Sequence, residues 1–117
     1  MGTGFHDLEV WREAKALAVE VYRATDTLKD FSLRDQLRRA AVSVPSNIAE
    51  GDERDTDKEA VRFFFIAKGS LAELRTQLEI ATDVGLLGTG TTAPLLTRAT
   101  SLAKRLGALI KARTPHV

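Results

Sequence analysis

Gln36-Leu-Arg-Arg-Ala-Ala-Val-Ser-Val-Pro-Ser-Asn-Ile-Ala-Glu-Gly51 is the stretch that decides the fold. Leu37, Ala40, Ala41, Val44 and Ile48 recur at the three- and four-residue steps of an α-helix, and Leu33 extends the stripe one turn upstream. Beside it runs a second stripe of polar and charged side chains, Gln36, Arg39, Ser43, Asn47 and Glu50. Serine and asparagine are poor helix formers, and they become worthwhile in mid-helix when their hydrogen bonds are used. The stretch therefore reads as a helix facing two partners, its own core and a neighbouring subunit; the competing reading is a solvent face or a cap network for the following loop. Ser32 is the expected N-cap, with Asp35 three residues on as an imperfect capping box, and Gly51 is the expected C-terminal cap. Pro45 removes a backbone donor and crowds the carbonyl of Ala41, which predicts a kink.

Three more amphipathic patterns flank this one. The first runs from Asp7, its expected N-cap, to about Leu28, with Val10, Trp11, Ala14, Leu17, Ala18, Val21 and Tyr22 in one apolar arc. Downstream, Asp52–Asp57 reads as a charged connection, and Thr56 with Glu59 forms a capping box for a helix reaching about Val84. Gly85, Gly88 and Gly90 mark a loop. A last helix is predicted from about Thr92, with Pro94 in its first turn and Leu95, Ala99, Leu102, Leu106 and Ile110 buried. No strand pattern competes. Short connections between long helices predict an all-α, up-and-down antiparallel four-helix bundle, with residues 1–117 as a single domain.

The third helix is more apolar than a bundle core requires. Ala60, Phe64, Ala67, Leu71, Leu74 and Leu78 suffice for that core. Phe63, Phe64 and Phe65 are consecutive, so their side chains fan over about 200° of the helix circumference. Phe65 then aligns with Val61, Gly69, Ala72 and Thr76, a track expected to form an oligomer interface unless the stems of Arg62 and Lys68 cover the ring.

Charge is unevenly spread behind a net +1. All 16 acids lie at or before Asp83, whereas Arg98, Lys104, Arg105, Lys111 and Arg113 follow it. A basic last helix of this kind meets an electrostatic partner such as a nucleic-acid backbone, the acidic face of another subunit, or acidic neighbours within the fold. Arg98, Lys104, Arg105 and Lys111 flank its apolar stripe and are the candidate phosphate contacts.

Much chemistry is unexpected here. The chain has no cysteine, which excludes disulfides and thiolate metal sites. His6 and His116 stand near opposite ends of the sequence and form no Glu-x-x-His pair. Glu79 and Asp83 read as solvated carboxylates, and the glycines near residue 85 lack the Lys and Ser/Thr of a phosphate loop. Ser43 and Ser70 have no base within helical reach. No enzyme, cofactor or metal is expected. Met1-Gly-Thr-Gly-Phe-His6 has the pattern of neither a signal peptide nor an anchor, and no apolar run is long enough for a membrane, so a cytoplasmic location is expected.

The segments Phe5–Ala14, Gln36–Gly51 and Phe64–Leu74, with the Leu86-Leu87 pair, resemble in order the four-helix-bundle family of 23S rRNA intervening-sequence proteins. That family includes the accessory variability determinants of diversity-generating retroelements. The resemblance implies a homopentameric, barrel-like ring without established enzymatic activity, and for the retroelement members binding of RNA or DNA. The alternative is a scaffold for another protein. Two departures stand out: the Thr27–Ser32 link is short, and Glu73, Glu79 and Asp83 make the third helix acidic.

Overall fold

Each apolar stripe becomes the inward face of a helix. The computed structural model describes residues 4–114, as a short 3-10 turn (Gly4–Asp7) followed by α1 (Glu9–Ala24), α2 (Phe31–Asp52), α3 (Asp57–Asp83) and α4 (Thr89–Arg113). The first three residues and His116 lie outside the described residues. Each helix packs on its two neighbours in a closed square, while the diagonal pairs α1–α3 and α2–α4 do not approach. Cross-helix contacts fix the antiparallel sense. Ser43 meets Ser70 while Gly51 meets Phe64, and Thr82 meets Thr92 while Lys68 approaches Gly107.

Phe64, Leu37, Ile48, Leu71, Leu74, Leu78 and Leu106 are completely shielded from solvent and join the four stripes into one core. Each such side chain contributes roughly 1.5–3 kcal/mol relative to exposure. Two expected core residues are peripheral. Tyr22 is exposed, its ring held under the Arg38 guanidinium at 4.5 Å. Trp11 is half-buried and packs edge-on against Phe5 and His6, with ring centroids 5.0 Å away in both cases.

Helix ends depart from the sequence expectations for local reasons. The N-cap of α1 is Leu8, not Asp7, because residues 4–7 form their own turn. The same helix ends at Ala24 rather than near Leu28, where the buried Thr25 hydroxyl bonds back to the Val21 carbonyl at 2.7 Å. Asp30, not Ser32, caps α2 by accepting the Leu33 N–H at 3.0 Å. Thr56 caps α3 as expected, accepting the Glu59 N–H at 3.2 Å.

Gly51 is not a C-terminal cap. It lies within α2, buried where the helix crosses α3, and a β-carbon there would stand 2.9 Å from the Ala60 carbonyl oxygen. The helix runs through Pro45 without a break. Gly85 takes the left-handed conformation (φ 78°) and closes α3, with Leu86 N–H on the Ala81 carbonyl and Gly85 N–H on that of Thr82. α4 starts at Thr89, one turn earlier than expected, which places Pro94 in the second turn. Thr92 anchors that early start: it is buried, and its hydroxyl bonds the Thr82 hydroxyl at 2.7 Å.

Candidate functional site

Part of the polar stripe of α2 is engaged within the subunit, where Ser43, braced by Asn47, meets α3. Ser43 Oγ and Ser70 Oγ share a hydrogen bond at 2.8 Å. Asn47 Nδ2 donates to the Ser43 carbonyl at 2.8 Å and to its hydroxyl at 3.0 Å. Two poor helix formers thus hold α2 against α3, while Gln36, Arg39 and Glu50 stay exposed along the same edge. Glu50 pairs with Arg54 one turn on, at 3.5 Å.

The Phe65 track is separate from that contact. Ser70 and Phe65 are five residues apart, about 140° around the helix, so the track points outward where Ser70 faces α2. Phe65 is 56% exposed, so the stems of Arg62 and Lys68 do not cover it. Gly69, Ala72 and Thr76 are exposed and Val61 is half-buried. Ile66 and Ile80 share the outward face and are nearly half exposed, which the sequence reading missed. Their spacing to Gly69 and Thr76 was the available signal. Thr76 donates its hydroxyl to the Ala72 carbonyl at 3.0 Å, leaving its methyl as the free part of the side chain.

A second apolar surface went unread. Val19 and Tyr22 of α1 with Val42 and Pro45 of α2 line a groove of about 360 Å³ whose wall exposes no polar atom, and the stems of Lys15 and Arg23 close its rim. Tyr22 hid it from sequence reasoning, because an aromatic in register with a core stripe reads as core. Only the inter-helix register puts Val42 opposite Val19.

The basic residues divide into two sets. Arg105 is committed to α1, donating to Glu9 at 2.5 Å and to Glu13. Arg113 is bound to Asp57 at 2.7 Å and Asp52 at 3.5 Å, so both ends of the acidic connection are occupied. Arg98, Lys104 and Lys111 are exposed and make no ion pair among the described residues. Arg98 shares a groove of about 400 Å³ with Glu13 and Ser101, apart from the two lysines. Lys68 joins those lysines: its Nζ lies 3.8 Å from the place a β-carbon on Gly107 would take, and Lys104 and Lys111 flank Gly107 by one turn. Its membership of the α4 strip depends on the register between α3 and α4.

Among the described residues no group of three or more His, Asp or Glu could hold a metal ion, and no helix is long and apolar enough to cross a membrane. Ser43 and Ser70 are each other's partners rather than nucleophiles beside a base.

Comparison with known proteins agrees with this architecture. A crystal structure of a protein of unknown function from the S23 ribosomal protein family of Bacteroides thetaiotaomicron VPI-5482 superposes with a TM-score of 0.83 at 20% identity. The match covers 87% of this chain and 98% of that one, and at such identity it shows the shared fold. None of the curated proteins matches the chain. The family described as 23S rRNA-intervening sequence protein matches residues 6–108, and the chain belongs to that family.

Proposed function

We propose that the protein is a non-enzymatic, homo-oligomeric bundle, a pentamer by the family resemblance, that binds RNA or DNA through sequence-independent phosphate contacts. The observation that carries this reading is the presence of two unrelated free surfaces on one subunit. The outward face of α3 presents Phe65, Ile66 and Ile80, and the α3–α4 edge presents Lys68, Lys104 and Lys111 without ion-pair partners among the described residues. Apolar side chains suit assembly, and assembly repeats the lysine strip. A strip too weak alone then gains by multivalent attachment to one polyanion. Arg105 drops from the original set of four phosphate candidates, because Glu9 and Glu13 already neutralise it.

The test is fluorescence anisotropy of mixed-sequence RNA and duplex DNA across a salt series. Binding is expected to weaken steeply with salt, and further when Lys104 and Lys111 become Gln. No binding at low salt would overturn the nucleic-acid part. A second reading, a scaffold for another polypeptide, is favoured by the internal neutralisation of Arg105 and Arg113.

A further inference from the structure

The outward face of α3 reads alike from either end, with the sign of its charge reversed. At the 100° step of an α-helix, Lys58, Phe65, Thr76 and Asp83 fall within about 20° of one line along the helix. Lys58 and Asp83 stand equally far from the midpoint between Ser70 and Leu71, and so do Phe65 and Thr76, and Gly69 and Ala72. All six are exposed, and neither Lys58 nor Asp83 is ion-paired among the described residues. Glu79, one turn before Asp83, adds a second unpaired acid at that end. Arg62 takes no part in this pattern, being paired with Glu59 at 3.7 Å. Lys68 is turned toward α4, and Arg75, two turns further on, lies on the same edge.

A face of this kind is complementary to itself. With a second copy antiparallel across it, about a two-fold axis through that midpoint, each Lys58 meets an Asp83 and each Phe65 meets a Thr76. Thr76 offers its methyl there, since its hydroxyl is bound to the Ala72 carbonyl at 3.0 Å. Gly69 and Ala72 meet at the centre, where small side chains let two helices approach closely. A β-carbon on Gly69 would touch nothing in its own subunit, so that space is open to the second copy. A parallel copy would instead set Lys58 against Lys58 and Asp83 against Asp83. Within the subunit α3 packs only on α2 and α4, so no other helix covers this line.

We propose that this face pairs two copies of the chain antiparallel, α3 against α3, in register about Ser70 and Leu71. The contact uses one face twice and closes at two copies, which separates it from a ring, whose head-to-tail contacts join unlike surfaces. Phe65 supplies the apolar contact, and the opposed charges at both ends set direction and register.

The chain has no cysteine, so single introduced thiols report the contact. Ala72→Cys places each thiol within about 5 Å of its own copy along the axis. Mild oxidation of the full chain is expected to give a covalent dimer of two 12.8 kDa chains on non-reducing electrophoresis. Thr76→Cys, whose copies stand about 16 Å apart along the axis, is expected to stay monomeric. Circular dichroism checks folding, and Gly69→Cys replaces Ala72→Cys if that variant fails. In the Ala72→Cys background, Lys58→Asp and Asp83→Lys should each slow cross-linking roughly tenfold at low salt, and their equimolar mixture should recover the rate. A monomeric Ala72→Cys, a Thr76→Cys that links as fast, or a mixture no faster than its components overturns the pairing. Dimer yield reads this contact alone, so its failure is distinct from a loss of nucleic-acid binding in the salt series.

Discussion

Gly51 packs so closely on Phe64 that a β-carbon at position 51 would stand 2.8 Å from Cε1 of the ring. Real side chains do not occupy that separation. The other two neighbours, the Ala60 carbonyl oxygen and Phe63 Cβ, lie at 2.9 and 3.0 Å and one of them is backbone. Gly51→Ala must therefore separate α2 from α3 and is expected to destabilise by about 1–3 kcal/mol in urea unfolding. An unchanged midpoint and slope would show that the crossing relaxes freely.

Gly69 gives the opposite expectation from the same residue type. With nothing near its absent β-carbon, Gly69→Ala in the Phe65→Arg background should raise stability by roughly 0.5–1 kcal/mol, through helix propensity alone. Thermal unfolding of the pair of variants checks it, and a loss of stability would reveal a contact inside the subunit.

Ser43 and Ser70 should be coupled. A double-mutant cycle with Ser43→Ala and Ser70→Ala is expected to give an interaction energy of about 0.5–1.5 kcal/mol. Asn47→Leu removes the amide that bonds Ser43 and should cost about 1 kcal/mol of stability. Additive single effects would mean that the serines only share a solvated edge.

Arg105 and Lys104 are sequence neighbours with different expected roles. Arg105→Gln breaks ion pairs that are 40–70% exposed, so it should cost well under 1 kcal/mol of stability and leave nucleic-acid affinity nearly unchanged. Lys104→Gln should leave stability alone and reduce the slope of log affinity against log salt by about one. Equal effects of the two substitutions in anisotropy titrations would dissolve the distinction.

Thr25 is the polar hinge after α1. Its buried hydroxyl donates to the Val21 carbonyl and accepts from Arg38 Nε at 3.0 Å. Thr25→Val keeps the shape and removes both bonds, for an expected loss of about 1–2 kcal/mol, while Thr25→Ser should recover most of it. Equal melting of the two variants would assign the site to packing alone.

The helices, their inward stripes and the antiparallel bundle were legible in the sequence because they follow from a period of 3.6 residues and short connections, both local properties. The family was legible for the same reason: Arg38-Arg-Ala through Ile48-Ala-Glu-Gly51 is a contiguous pattern. Outward Phe65 was legible too, since three consecutive phenylalanines cannot all face one core.

What only the tertiary structure decided depends on register between helices far apart in the chain. The sequence made Gly51 a cap and Tyr22 a core residue, and it offered no partner for Arg105. Contact with Phe64 makes Gly51 a crossing point, Arg38 holds Tyr22 at the surface, and Glu9 and Glu13, more than ninety residues away, claim Arg105. The α1–α2 groove and the convergence of Lys68 with Lys104 and Lys111 arise the same way. Periodicity fixes which side of a helix a residue occupies, while the neighbour on that side is set by how four helices slide and pack against one another.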